Sequence, residues 1–277
     1  MKKVLVSFAD SRYQISLDQL KKSTEDFGFD DRYFLTEKAL PVNVLTSLNP
    51  EVYRRGFGYW RWKPYVVKQC LDKLSGGDIL VYSDGGVYWD IKGIKRFQEY
   101  LSMLDNNQSI LCFQQPFLEK DWTKGDVLEY FKAYDDDNIT MSLQLWGGCV
   151  SVRKNKTTER LISEWYDICM HHADLFTDKK SKKPNLNGFR EHRHDQSVFS
   201  IMVKQIPHLE ISWKEVEGLA PMWYNSFPDF PIQGRRLKIS RPPKRIIWRF
   251  TKWKSIAIGW YLKHYKDFYF ANNRLEW

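Results

Sequence analysis

The stretch Glu191-His192-Arg193-His194-Asp195-Gln196-Ser197 gathers two imidazoles, a guanidinium, a carboxyl and an amide just ahead of the apolar residues Val198, Phe199 and Met202. Histidines two apart can supply a metal ligand and a phosphate donor, and Asp195 is a candidate general base. The plainer alternative makes Asp195 a helix cap and leaves the histidines in solvent. A second block, Arg55-Gly56-Phe57-Gly58-Tyr59-Trp60-Arg61-Trp62-Lys63-Pro64, sets glycines, aromatics and cations before a helix start. Helix N-termini favour anions, so Lys63 there can neutralise a phosphate while Tyr59 and Trp60 offer flat faces to a sugar. In Leu80-Val81-Tyr82-Ser83-Asp84-Gly85-Gly86 a β-rich run ends in an acid and two glycines. Asp84 can bind a sugar or ribose hydroxyl or a divalent metal, and Gly85 and Gly86 admit a ligand close to the backbone. Gly147 and Gly148, in Leu-Trp-Gly-Gly-Cys-Val, allow the same approach. Phe8, Ala9, Asp10 and Tyr13 follow the first strand-like run; such a group can stack on a base and hold its ribose, or simply cap a turn.

These blocks need a frame that brings them together. Lys3–Phe8, 32–35, 78–82, 109–113 and 142–152 read as strands. Ser16 is a candidate N-cap ahead of Leu17 and Leu20. Apolar residues recur at helical spacing over 64–74, 91–104 and 157–172. Strands alternating with helices predict an α/β domain with a mostly parallel sheet, in which ligands bind beyond the carboxyl ends of strands. Thr123-Lys124-Gly125-Asp126 reads as a capping box, Asp135-Asp136-Asp137 as a solvated loop, and 179–187 as an exposed loop. Cys70, Cys112, Cys149 and Cys169 have no C-x-x-C spacing and read as reduced core residues, which excludes a disulfide scaffold or zinc site.

In their order, F-A-D-S-R-Y, G-F-G-Y-W-R-W-K-P, L-V-Y-S-D-G-G, L-W-G-G-C and H-R-H-D-Q-S resemble a GT-A-fold glycosyltransferase over residues 3–205. The likeness is to bacterial capsule and lipopolysaccharide sugar transferases distantly similar to the glycogenin-type and Och1-type retaining enzymes. The resemblance implies a GT-A-like α/β fold and transfer of a sugar from a nucleotide diphosphate-sugar to a glycan or lipid-linked acceptor, with retention. The residues themselves leave retaining and inverting courses open. It places Phe8, Ala9, Asp10 and Tyr13 at the nucleoside, Lys63 at the diphosphate or Asp84, Gly147 and Gly148 in the sugar pocket, and Asp195 and Gln196 at the transferred sugar. Asp84 takes the first position of the D-x-D motif, but the second is Gly86. Either a histidine, His192 or His194, completes a site for Mn2+ or Mg2+ with Asp84, or Lys63 and Arg193 carry the diphosphate charge alone. The first route, with His194, is the expectation.

The chain has 277 residues, 43% hydrophobic and 28% charged, which excludes a disordered protein. Its net charge of +9 is concentrated at one end: eleven lysines and arginines and no acid lie between Arg235 and Lys266. The rest holds 32 basic against 34 acidic residues, a charge of −2, which argues against a nucleic-acid partner. The cations alternate with Trp248, Phe250, Trp253 and Trp260, giving residues 233–277 the pattern of a basic amphipathic helix appended to a domain of 1–232. Such a helix suits an anionic membrane surface; the plainer alternative packs its apolar side on the domain and leaves the basic side in solvent. No signal peptide and no apolar run of membrane-spanning length is visible, so a cytoplasmic protein at the inner face of a membrane is expected. The rival from another class is a non-catalytic carbohydrate- or membrane-surface-binding module. A sugar nucleotidyltransferase would want a basic glycine-rich loop near the N-terminus, which is absent.

Overall fold

The computed structural model describes residues 1–216 and 229–233. In chain order the elements are β1 (Lys3–Phe8), α1 (Gln14–Ser23), β2 (Asp31–Leu35), α2 (Val42–Leu48), α3 (Gly56–Tyr59), α4 (Lys63–Leu71), β3 (Ile79–Ser83), β4 (Tyr88–Trp89) and α5 (Ile94–Met103). They continue with β5 (Ile110–Leu118), α6 (Glu119–Trp122), α7 (Gly125–Tyr130), α8 (Asp137–Thr140), β6 (Leu143–Arg153), α9 (Lys156–His171), α10 (Asp195–Lys204), β7 (Leu209–Ile211) and β8 (Ile232–Gln233).

Six strands form one sheet in the order β2-β1-β3-β6-β5-β7, and β4 pairs with β8 separately. β1 lies parallel to β2 and β3, β5 lies parallel to β7, and β6 runs against both its neighbours. The expected α/β class with a mostly parallel mixed sheet is what the chain adopts. Strands buried on both faces read as unbroken apolar runs because alternate residues feed different cores. Val4, Val6, Leu80, Tyr82, Ile110 and Cys112 pack with α4, α9 and α10 on one side. Leu5, Ile79, Val81, Leu111 and Phe113 pack with α5 on the other. The four cysteines are buried and unpaired.

Local sequence sets several element ends. Pro64 starts α4, where its missing N–H costs nothing. Asn155 and Thr158 form a reciprocal capping box on α9, worth ~1 kcal/mol. Two local expectations fail and a third, the exposed loop at Asp135–Asp137, gains a cap. Asp10, not Ser16, caps the first turn, accepting from the Arg12 N–H, and a short 3-10 turn pushes the start of α1 back to Gln14. Thr123 and Asp126 form no capping box: Thr123 donates to Glu119, while Asp126 accepts from the backbone of Lys182 and Lys183. Within Asp135–Asp137, Asp136 caps α8 by accepting from the Asn138 N–H. Tertiary partners outcompeted local ones in the second case, and the third hides a turn too short to show periodicity.

Among the described residues no helix is long and apolar enough to cross a membrane. The expected tail helix lies outside the described residues.

Candidate functional site

The parallel pairing of β1 with β3, Val6 opposite Tyr82, sets their carboxyl ends side by side. A side-chain carbon on Gly85 would sit 3.5 Å from Ala9 Cβ, so the first and third sequence blocks touch. Gly85 and Gly86 occupy a tight turn closed by the Val87 N–H on the Asp84 carbonyl.

β6 brings the fourth block in from the opposite direction. On its β5 side the register jumps, with Cys112 opposite Val150 but Phe113 opposite Trp146. Residues 147–149 thus bulge out of the β5 ladder beside the cleft. On the β5 side the Gly147 carbonyl accepts from Lys63 Nζ at 2.9 Å, while on the β3 side the Gly148 carbonyl extends the ladder past Cys149 by accepting from the Asp84 N–H at 2.7 Å.

Lys63 arrives by way of an unusual turn. Gly56, Phe57, Gly58, Tyr59 and Trp60 all have positive φ, a single turn of left-handed helix. For its three non-glycine residues this costs roughly 1–2 kcal/mol each. Surrounding bonds hold it in place. The buried Arg61 guanidinium donates to the Gly58, Cys169, Ser47 and Leu48 carbonyls, and Trp62 Nε1 donates to the Gly56 carbonyl. Trp62 also packs on Phe8 with ring centroids 4.1 Å apart, tying the second block to the first.

At the centre, Lys63 Nζ lies 2.6 Å from Asp195 Oδ2 and 3.3 Å from Asp84 Oδ1. Lys63 also donates to the Gly147 carbonyl, so its ammonium is enclosed by one hydrogen bond and two ion pairs, facing Asp84 and Asp195. Burial opposes its charge, but the carboxylates of Asp195 and then Asp84 outweigh it and hold the pKa above the usual lysine value. Burial pushes Asp195 up to about 6 despite the pull of Lys63. The Tyr82 hydroxyl, kept protonated by burial and by Asp84, donates to Asp84 Oδ1 at 2.5 Å. The Asp84 side chain remains 38% exposed against 4% for Lys63, so Asp84 is the solvent-facing member of the cluster and the Lys63–Asp195 pair is enclosed. Gln196 donates through Nε2 to Gln144 Oε1 at 2.6 Å, and its Oε1 accepts from the Gly147 N–H at 3.3 Å.

The other expected residues are placed as follows. Phe8, Ala9 and Asp10 are buried at the end of β1, and Asp10 forms a two-pronged pair with Arg12. Tyr13 is 60% exposed. Tyr59 and Trp60 pack against the His194 ring, at 4.9 and 5.4 Å between centroids. The Arg193 guanidinium lies over the Trp122 and Phe117 rings. His192 is buried, with Nε2 toward the Leu175 carbonyl and Nδ1 toward the Lys124 N–H, a loop-clamping arrangement.

The metal expectation needs correction. His194 Nδ1 faces the Phe176 carbonyl at 2.6 Å and Nε2 faces Asp178 at 3.7 Å, so both ring nitrogens are directed at groups other than Asp84. Among the described residues no group of three or more histidine, cysteine or acidic side chains gathers around a common point. The cation next to Asp84 and Asp195 is the lysine itself. These residues do not fit a resident divalent ion held by Asp84 and His194.

Sequence reasoning missed Tyr82, Trp62, Gln144 and Glu119. Tyr82 and Trp62 stood inside quoted blocks, but Tyr82 read as strand and Trp62 was given no role. Glu119 and Gln144 carried no local signal, because their partners are distant in sequence.

No family model matches the chain, and no curated protein matches it. In structure it is similar to glycosyltransferases. Mouse xyloside xylosyltransferase 1, in its apo form, aligns at 12% identity and TM-score 0.49 over 87% of this chain and 100% of that one. Galactosyltransferase LgtC in complex with donor and acceptor sugar analogs aligns at 13% identity and TM-score 0.48, covering 92% and 95%. A glycosyltransferase involved in glycosylation of the major capsid of PBCV-1 aligns at 13% identity and TM-score 0.42, covering 76% and 81%.

Proposed function

We propose that the protein is a glycosyltransferase that moves a sugar from a nucleotide diphosphate-sugar to a glycan or lipid-linked saccharide in the synthesis of a surface polysaccharide. One observation carries the reading: five separate stretches of chain converge beyond the carboxyl ends of β1 and β3, where Lys63 bridges Asp84 and Asp195. Phe8, Ala9, Asp10 and Tyr13 border the nucleoside, and Gly85, Gly86, Gly147 and Gly148 allow the donor close to the backbone.

In a retaining course the bond from the anomeric carbon to the diphosphate breaks, and its electron pair stays on the leaving oxygen. The acceptor oxygen bonds the same carbon from the same face, and its proton passes to the leaving phosphate. Asp195 and the Gln196 carbonyl oxygen stabilise the positive charge that develops on the sugar. Lys63 holds Asp195 in its charged form and fixes its direction. Residues 233–277 dock the enzyme on an anionic membrane surface, which a truncated chain that still pelleted with anionic liposomes would refute.

The test is hydrolysis of UDP- and GDP-sugars, with CMP-sugars, which carry one phosphate, as the contrasting arm, preceded by a thermal-shift screen of the same compounds, since a bound ligand raises the melting temperature by mass action. Slow hydrolysis of one donor, abolished in Asp195→Asn, supports the proposal. A sugar-stacking module would bind saccharides and hydrolyse none of these donors.

A further inference from the structure

We infer that Glu119, which lies outside the cleft, is a positioning residue that acts through Gln144 to fix which end of the Gln196 amide faces Gly147. The inference rests on the glycosyltransferase reading for its effect on turnover, but its geometry stands apart from it. Glu119 opens α6 and is fully buried. Its Oε1 accepts from Thr123 Oγ1 at 2.6 Å and from Gln144 Nε2 at 2.8 Å. Its Oε2 accepts from the Ser200 hydroxyl and pairs with Lys204 Nζ at 2.7 Å. Lys204 ends α10, the helix whose first turn carries Asp195 and Gln196, so Glu119 is anchored to the element it serves.

A carboxylate paired with an ammonium offers acceptors only. Gln144 must therefore turn its NH2 toward Glu119 and its carbonyl oxygen toward Gln196. That oxygen accepts the Gln196 NH2 at 2.6 Å, which in turn leaves the Gln196 carbonyl oxygen facing the Gly147 N–H. Gly147 closes the sequence, because its carbonyl receives Lys63. An amide has nearly the same shape in either orientation, so packing alone could not choose between them. The polarity runs from Glu119 through two glutamines to the cleft wall. A buried ion pair is an expensive way to fill a core, and apolar residues of like volume would serve stability as well or better. Orientation is what the apolar alternative lacks. A flipped Gln196 would present NH2 donors to a positively charged sugar and to the Gly147 N–H.

The experiment uses the full chain with Glu119→Gln, and with Glu119→Gln combined with Gln144→Glu. Glutamine at 119 can donate or accept, so the relay loses its direction. The donor-hydrolysis kcat should then fall about tenfold, the worth of one oriented hydrogen bond, with donor KM within about twofold. In the double variant residue 119 donates to a carboxylate at 144, which again accepts from the Gln196 NH2, and kcat should recover most of the loss. Melting temperatures are read alongside: a purely structural Glu119 would lower the melting point and leave kcat of the folded fraction unchanged, which overturns the inference. A double variant no faster than the single one also overturns it. Side-chain amide resonances of 15N-glutamine give a readout free of turnover. The Gln196 NH2 pair should be exchange-protected in the wild type and the double variant and exposed in Glu119→Gln. If no donor is turned over at all, the function proposed above fails, and these resonances alone decide the relay, an unchanged pattern in Glu119→Gln refuting it.

Discussion

Replacing Lys63 by methionine keeps most of the side chain's bulk and removes only the ammonium between Asp195 and Asp84. Deleting one partner of a buried ion pair costs about 3–5 kcal/mol. At ~2–4 °C of melting temperature per kcal/mol, the variant should melt roughly 6–20 °C lower at neutral pH. The cost depends on pH in a way that isolates Asp195. Its folded-state pKa, about 6, lies above the 3.8 of an unperturbed aspartate. For a carboxyl raised on folding, the folded state holds the extra proton, so its contribution is intact below pH 4 and is lost as pH rises through 6. In the wild type that loss levels off above 6, because Lys63 stabilises the ionised form. Without Lys63 the carboxyl titrates higher, and the variant goes on losing ~1.4 kcal/mol per pH unit above 6. The gap between the proteins should widen by up to about 3 kcal/mol from pH 6 to pH 8. It should be smallest at pH 5, where Asp195 is protonated in both. Urea unfolding followed by tryptophan fluorescence at pH 5, 6, 7 and 8 measures this directly. A gap that stays flat over that range would refute the coupling of Lys63 to Asp195.

Donor hydrolysis that uses the Asp195 carboxylate should fall about tenfold per pH unit below pH ~6, and that acid limb should be missing from the residual rate of Asp195→Asn. Gly58→Ala places a Cβ 3.0 Å from Leu48 Cβ and carbonyl at a φ of +90°, so it should cost roughly 1–3 kcal/mol in urea unfolding. Gly76→Ala, with nothing within 4 Å, is the matched control and should leave the midpoint in place. EDTA should leave donor hydrolysis within about twofold, given a charge-neutralising lysine beside the two carboxylates; a large loss restored by Mn2+ would show that a divalent ion takes part after all.

Most of the sheet was legible because strands buried on both faces read as apolar runs, as in Lys3–Phe8 and Ile79–Ser83, broken only at Lys3, Ser7 and Ser83; the three-residue β7 offered no such run. The site was legible as separate fragments for a related reason. Glycines, acids and cations directly after such strands have no packing duty, so their types stand out. The histidines misled, because a sequence cannot tell a ring that reaches solvent from one closed off by carbonyls 17 and 18 residues away. The left-handed turn before Lys63 was hidden too. Its glycines hinted at freedom, but Phe57, Tyr59 and Trp60 adopt the same φ sign only because tertiary bonds compel them. The Glu119 relay links α6, β6 and α10, and no window of neighbouring residues contains it.

The step in β6 has a consequence for how such a cleft can be resized. Between one pair of adjacent rungs, β6 carries residues 147–149 that β5 does not match, and the register shifts again between Gln114 and Leu118. A change at Gly147 would shift the wall against Gln196 and Lys63, while Cys149, paired with Ser83 and fully buried, holds the β3 side in place. The wall at Gly147 can therefore be altered on its β5 side while β3 holds the other side of β6 in place.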